Sequence, residues 1–279
     1  MLLHHLSLPH GPSVPTLGQG TWRIGEAASR KAAEAEALRR GIADGLTLID
    51  TAEMYGDGAT ERFLGEALEG LRDDVVLVSK VYPQNAGGSA LERACDNSLK
   101  RLKTDRIDLY LLHWRGHVPL ADTVDGMRRL QRAGKILHWG VSNFDRDDME
   151  ELQEAEGEAR DCACNQVLYN LTRRGPEWDL LPWMRARGMP LMAYSPLEQG
   201  RLSHPGLEAI AARHGVTANQ IALAWVLAQP DVIAIPKAGT VAHVAENVAA
   251  AAILLSDDDR AALDRLFPPP VAPTALEML

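Results

Sequence analysis

The fold class predicted by this 279-residue sequence is α/β: a (β/α)8 TIM barrel with an N-terminal β-hairpin closing the barrel floor. Three observations predict it. Short apolar runs alternate with helical patterns from end to end. There are eight such runs, and about 250 residues is the length that eight strand–helix units need. Several of the runs also end in a polar or ionisable residue, which suits a barrel whose strand ends gather at one mouth.

Taken in order, "PHGP" (9–12) has the turn chemistry of a hairpin across the floor. The first and weakest barrel strand is "TLGQGTW" (16–22). It is followed by "LTLID" (46–50), "VVLVSK" (75–80), "IDLYLLHW" (107–114), "ILHWGVSNF" (136–144), "CACNQVLYN" (162–170), "PLMAYSPL" (190–197) and "VIAIPKA" (232–238). Helical spacing marks the segments between them at 26–43, 60–69, 89–102, 119–133, 146–156, 176–187, 217–228 and 241–251. Ser256 reads as the N-cap of a terminal helix over 256–266. An open doubly wound sheet is the competing topology. It lacks its signature, because "GQGTWRIG" after the first strand is not a G-x-G-x-x-G turn. No linker or low-complexity block divides the chain, so residues 1–279 read as one domain.

The composition is that of a globular protein, 46% hydrophobic and 24% charged. A net charge of −9 disfavours a nucleic-acid or anionic-membrane surface. No apolar run reaches membrane-spanning length, and the N-terminus has no signal-peptide pattern. The three cysteines, Cys95, Cys162 and Cys164, form no disulfide framework and no CxxC pair, which points to the cytoplasm. Cys162 and Cys164 are two apart in a strand pattern, so they are expected on one face as buried thiols, and no metal site is expected.

The strand ends carry the chemistry. Asp50 closes one apolar run, Lys80 the next and His113 the third, with Tyr55 on the loop after Asp50. Each alone also reads structurally: a cap, a rim charge, a core histidine, a loop packer. Together they make an acid. A free phenol near pKa 10 is a poor donor, and an adjacent ammonium is expected to lower that value. A carboxylate would hold the ammonium, and a histidine can hydrogen-bond a substrate oxygen. The set suits protonation of an oxygen that gains negative charge.

"GLTLIDTAEMYGDG", "LVSKVYP", "DLYLLHW", "GVSNF", "CNQVLYN", "AYSPL" and "IPKAGTVAHVAEN", in that order, resemble the aldo-keto reductase family over nearly the whole chain. Among family members the chain looks most like the short bacterial enzymes that act on methylglyoxal and similar dicarbonyls. The resemblance implies an NAD(P)H-dependent reductase of small aldehydes and ketones, with Asp50, Tyr55, Lys80 and His113 catalytic. It implies nicotinamide contacts from Ser142, Asn143 and Gln166, and stacking by Tyr194. Ser195, Leu197 and Gln199 would lie on the pyrophosphate loop, Lys237, Thr240 and His243 near the 2′-phosphate, and Glu246 and Asn247 near adenine. Gly20 and Thr21, with Asp50, would approach the cofactor from the first strands. Trp22, Tyr82 and Trp114, with His113, would wall the substrate pocket.

Two departures from the family pattern matter. Many members have serine and arginine where this chain has Ala238 and His243, which weakens the phosphate site, so NADPH is favoured and NADH possible. The tail after Pro273, "TALEML", is short, so the pocket is expected to be open. The partner is then a small carbonyl compound and the protein a monomer. Two other readings are a cofactor-binding regulatory barrel, like the potassium-channel β subunits, and a Schiff-base aldolase acting through Lys80.

Overall fold

A computed structural model describes residues 3–279. Its first element is a hairpin, β1 (His5–Ser7) and β2 (Ser13–Pro15), paired antiparallel with Leu6 opposite Val14. Eight parallel strands follow: β3 (Gln19–Gly20), β4 (Leu48–Asp50), β5 (Val76–Val81), β6 (Ile107–Leu112), β7 (Ile136–Ser142), β8 (Cys162–Leu168), β9 (Leu191–Tyr194) and β10 (Val232–Ala234). They are hydrogen-bonded in sequence order from β3 to β10. Parallel bridges from Leu17 to Ala234 and from Gly20 to Lys237 join the two ends. At that seam Gly18 N–H donates to Ala234 O at 2.8 Å and Gly20 N–H to Pro236 O at 3.1 Å. The sheet is a closed barrel, as the eight apolar runs predict, and closure removes both sheet edges. The seam is tight. A Cβ on Gly20 would stand 2.6 Å from the carbonyl oxygen of Ile235, so the first strand can approach only as glycine.

Among the described residues ten α-helices surround the barrel: α1 (Lys31–Ala43), α2 (Ala59–Ala67), α3 (Gly88–Leu102), α4 (Leu120–Arg132), α5 (Arg146–Glu156), α6 (Leu180–Arg185), α7 (Pro205–His214), α8 (Ala218–Leu227), α9 (Val241–Ala250) and α10 (Asp257–Leu266). Ser256 caps α10 as expected, receiving Asp259 N–H in a reciprocal capping box. Three helix expectations need correction. α1 starts at Lys31, not 26, because the buried Glu34 carboxylate turns back to accept Gly25 N–H at 2.8 Å and shapes the preceding turn. α6 is shorter than 176–187 because a 3-10 turn at Gly175–Glu177 precedes it. α7 has no counterpart in the sequence reading; the His204 ring caps it and Pro205 occupies its first turn.

Two cores result. The outer one lies between strands and helices. The inner one fills the barrel with Leu48, Val78, Leu109, Leu111, Met192, Ile233 and Ile235, and the hairpin adds Leu8 and Val14 from below. The hairpin therefore plugs the floor. Met1 and Leu2, which begin the predicted hairpin segment, lie outside the described residues. Cys162 and Cys164 do not share a face, against expectation. The register between β7 and β8 slips between Trp139 and Val141, a bulge that turns Cys162 to the outer core and leaves Cys164 with Ala163 in the inner one. All three cysteines are free and buried.

Candidate active site

β4 delivers Asp50 to the mouth of the barrel, and the chain then turns sharply. Gly56, Asp57 and Gly58 all have positive φ, which folds Tyr55 back over the strand ends. Glu53 anchors this loop, its backbone donating to Lys80 O and its carboxylate accepting Tyr82 N–H at 2.8 Å. β5 brings in Lys80 beside it, fully buried. The Lys80 ammonium donates to both Asp50 oxygens at 2.8 Å, to Thr51 O at 2.9 Å and to Tyr55 Oη at 3.2 Å. Its three protons are thus fully engaged. His113 follows β6, its N–H donating to Val81 O, and its ring stands edge-on to Tyr55 with centroids 6.1 Å apart. Three neighbouring strands and one loop bring the four predicted residues together.

The electrostatics differ from the expectation in one respect. Burial raises the Tyr55 phenol above its usual value near 10, and the attraction of Lys80 opposes this without overcoming it. The expected net lowering is not found, because desolvation outweighs the single neighbouring cation. Burial also works to lower Lys80, but Asp50 and Tyr55 raise it, so the ammonium is held. Burial, helped by Lys80, pushes His113 down to about 2. His113 is therefore a neutral imidazole, able to donate one hydrogen bond but carrying no charge. Its Nδ1 is buried without a partner. The site holds a protonated phenol beside a fixed cation and a neutral donor.

Above these groups lies a cleft of about 280 Å³ lined by Trp22, Met54, Tyr55, His113, Trp114, Ser142, Asn143, Gln166, Tyr194, Ser195, Gln199, Met278 and Leu279. One side is polar. Ser142 hydroxyl donates to Gln166 O at 2.7 Å, Asn143 amide to His113 O at 3.0 Å, and Tyr194 hydroxyl to Asn143 Oδ1 at 3.0 Å. Gln166 reaches across the barrel to donate to Asp50 Oδ1 at 2.7 Å. These amides, with the Tyr194 ring beside them, fit a flat aromatic carboxamide. Thr21 ties the first strand to this corner through its hydroxyl and N–H, both donating to Asp50 O.

Next to Tyr194 the chain enters a strained loop with positive φ at Ser195, Glu198 and Gln199. Buried Glu198 holds it, receiving Asn170 at 2.9 Å, Arg173 at 3.1 Å and Arg201 at 3.1 Å. Ser195 and Gln199 face the cleft; Leu197 does not, and packs against the outer core. Lys237 is joined to Gly20 by the seam and is exposed. Thr240 caps α9, receiving His243 N–H at 3.3 Å, so the exposed His243 sits in the first helical turn. Glu246 is exposed and Asn247 buried on the same helix. These residues stand beyond the cleft lining, on the Gly20 side of the barrel mouth.

Two of the three aromatics expected at the substrate pocket, Trp22 and Trp114, line the cleft. Trp22 stacks on Tyr55 with centroids 5.9 Å apart, and Trp114 leans on His113 at 4.9 Å. Tyr82 is not in the cleft lining. It meets Trp114 edge-on from behind and supports that ring. The tail was expected to leave the cleft open, yet it reaches the rim, where Met278 and Leu279 remain 59% and 50% exposed. The tail turns back over the rim, tied by an ion pair of Glu277 with Arg173, and sets Met278 and Leu279 in the wall. Met54 was missed as well, although its place next to Tyr55 was a usable signal. Nothing in the short tail's own sequence signals a return to the mouth.

Residues 16–267 match the family model described as Aldo/keto reductase family. Methylglyoxal reductase YeaE of Escherichia coli is 52% identical over 273 residues, 96% of each chain. Glyoxal reductase of Bacillus subtilis is 32% identical over 270 residues, 94% of this chain and 92% of that one. Among solved structures, an aldo/keto reductase from Klebsiella pneumoniae in complex with NADP and acetate superposes with a TM-score of 0.96 at 50% identity, covering all of both chains.

Proposed function

This chain belongs to the aldo/keto reductase family, and from that premise we propose that its cleft reduces small aldehydes and ketones with NADPH, methylglyoxal and related dicarbonyls being the substrate class. The observation that carries the reading is the Lys80 ammonium, which joins Asp50 to the Tyr55 hydroxyl at the floor of a cleft with an amide-lined side. The nicotinamide end of the cofactor and the substrate would share this cleft of about 280 Å³, at the low end for ligand pockets, which leaves room only for a small carbonyl.

In this reading each residue has a role, which the geometry supports at the tetrad and the family resemblance supplies for the cofactor. Tyr55 holds its proton at neutral pH and gives it to the carbonyl oxygen. Lys80 stabilises the phenolate left behind, and Asp50 keeps Lys80 charged and aimed. His113, a neutral donor, orients the same oxygen. Ser142, Asn143 and Gln166 hold the carboxamide of the cofactor and Tyr194 covers the ring face. Ser195 and Gln199, with Leu197 supporting their loop, hold the pyrophosphate. Lys237, Thr240 and His243 receive the 2′-phosphate, and Glu246 and Asn247 the adenine. Gly20 and Thr21 approach the cofactor from the end of the seam strand. When bound, the reduced nicotinamide supplies the hydride.

An aldolase role for Lys80 finds no support, since a Schiff base needs a neutral amine and Lys80 is held as an ammonium with no free proton position. A purely regulatory barrel would have no need of a joined Asp50–Lys80–Tyr55 set. The reading treats residues 1–279 as one catalytic domain, a cytoplasmic monomer; among the described residues no helix is long and apolar enough to cross a membrane. The test is a panel of methylglyoxal, glyoxal and bulky aromatic aldehydes, assayed with NADPH and NADH side by side. The reading predicts turnover with NADPH and the highest kcat/KM for the small dicarbonyls. Absence of NADPH oxidation across the panel would refute it.

A further inference from the structure

Gln166 sits on β8 and Asp50 on β4, four strands apart in an eight-stranded ring, so each faces the other across the barrel. Both are buried, 1% and 2% exposed. The amide of Gln166 has only acceptors on its nitrogen side: Asp50 Oδ1 at 2.7 Å and the Met192 sulfur at 3.0 Å. A carboxylate cannot donate, so the side chain has one orientation, nitrogen toward Asp50 and oxygen toward the cleft. Asp50 needs that second donor. Lys80 contacts both of its oxygens, but its three protons are shared with Thr51 O and Tyr55. A carboxylate free to turn about its last bond would carry the ammonium with it and lengthen the reach to the phenol.

We propose that Gln166 is a positioning residue for the proton relay: its N–H fixes the Asp50 carboxylate, and through Lys80 it fixes the Tyr55 hydroxyl. The inference rests on the proposed function and adds to Gln166 a task separate from holding the cofactor. It also links the two halves of the site. A carboxamide donating to the Gln166 oxygen polarises the same amide whose N–H grips Asp50, so filling the cofactor seat strengthens the hold on the relay.

The test compares Gln166→Leu and Gln166→Glu. In the leucine variant the hydrogen bond to a charged acceptor is lost, and kcat falls about tenfold or more at every pH. In the glutamate variant the new carboxyl group, while protonated, can still donate to Asp50, so kcat at low pH stays above that of the leucine variant. As pH rises and the group ionises, two carboxylates face each other and the hold is lost. The titratable groups around the position are Asp50, Tyr55, Lys80, His113, Cys164 and Tyr194. Burial holds Cys164 and Tyr194 up at about 12 and His113 down at about 2. Burial holds Tyr55 above 10, and Asp50 helps hold Lys80 above its ordinary value. A reversible fall in kcat between about pH 5 and 9, seen in Gln166→Glu and absent from wild type and Gln166→Leu, therefore belongs to the introduced carboxyl group. Recovery of activity on returning to low pH shows that the variant stays folded.

Fluorescence-quenching Kd values for NADPH are measured in parallel. If wild type turns over methylglyoxal but both variants change only Kd, with kcat–pH profiles that scale onto wild type, the positioning role is overturned and the functional reading stands. If wild type itself shows no turnover, both fall.

Discussion

At Lys80 a single buried cation serves two partners of opposite need. Asp50 keeps it charged, and in the proposed reaction it is the counter-ion for the phenolate that Tyr55 would leave on giving up its proton. Lys80→Met is expected to lower kcat by about 10²–10³-fold, the scale of losing one preorganised electrostatic contact. It should also destabilise the fold by about 3–5 kcal/mol, because Asp50 becomes an unpaired buried charge. The double variant Asp50→Asn/Lys80→Met separates the two effects. Its urea midpoint should recover much of the loss while kcat does not. Recovery of activity along with stability would mean that Lys80 matters only structurally. His113 permits a second prediction. Its folded value of about 2 lies below the unfolded value near 6.5, so the unfolded chain takes up the proton first as pH falls. The stability it contributes is complete above about pH 6.5 and declines below it, by about 2 kcal/mol at pH 5. Urea unfolding of wild type and His113→Gln at pH 7 and 5 should show a shallower pH dependence in the variant. Equal slopes would count against a buried neutral imidazole.

The first turn of α9 presents Thr240 as cap and His243 three residues later, the exposed end of a helix whose N–H groups favour an anion. Arginine would address a 2′-phosphate with two parallel N–H donors. His243→Arg is expected to tighten NADPH by roughly 1–2 kcal/mol and leave NADH unchanged. Fluorescence-quenching Kd values for the two cofactors check this, and equal gains for both would show that His243 faces no phosphate. Elements also mark where reading the sequence succeeded and where it stopped. Strands were legible because apolar runs buried on both faces leave a plain signal, and the residues that break them, Asp50, Lys80 and His113, stand where the mouth begins. α7 was missed because Pro205 and Gly206 open it and its apolar positions, Leu207, Ile210 and Ala211, are few. The bulge in β8 was missed because register is a relation between two strands. Nothing within "CACNQ" alone shows that its partner skips a residue.

For the molecule as a whole, closure of the ring makes the site: residues from β3, β4, β5, β6, β7, β8 and β9 meet only because the last strand returns to the first. Gly20 carries that seam, and Gly20→Ala should lower stability by about 1–3 kcal/mol through the clash with Ile235 O, read as a fall in the urea midpoint. An unchanged midpoint would mean that the seam yields without cost. The hairpin plug and the four-residue cluster were readable in advance. The direction of the Tyr55 shift was not, because charge partners can be guessed from spacing but depth of burial cannot. The tail was not readable either. Glu277 finds Arg173 more than a hundred residues away, a pairing that no local pattern in "TALEML" contains.

The central claim is that Tyr55 donates the proton in an NADPH-dependent reduction. The most direct measurement is steady-state reduction of methylglyoxal by wild type and Tyr55→Phe, with NADPH binding to both measured by fluorescence quenching. Loss of the phenol should lower kcat by at least the 10²–10⁴-fold typical of a general acid while NADPH affinity changes little. A Tyr55→Phe protein that binds NADPH and keeps more than about a tenth of wild-type kcat would contradict the claim, since no other group in the cleft is a protonated acid within reach of Lys80.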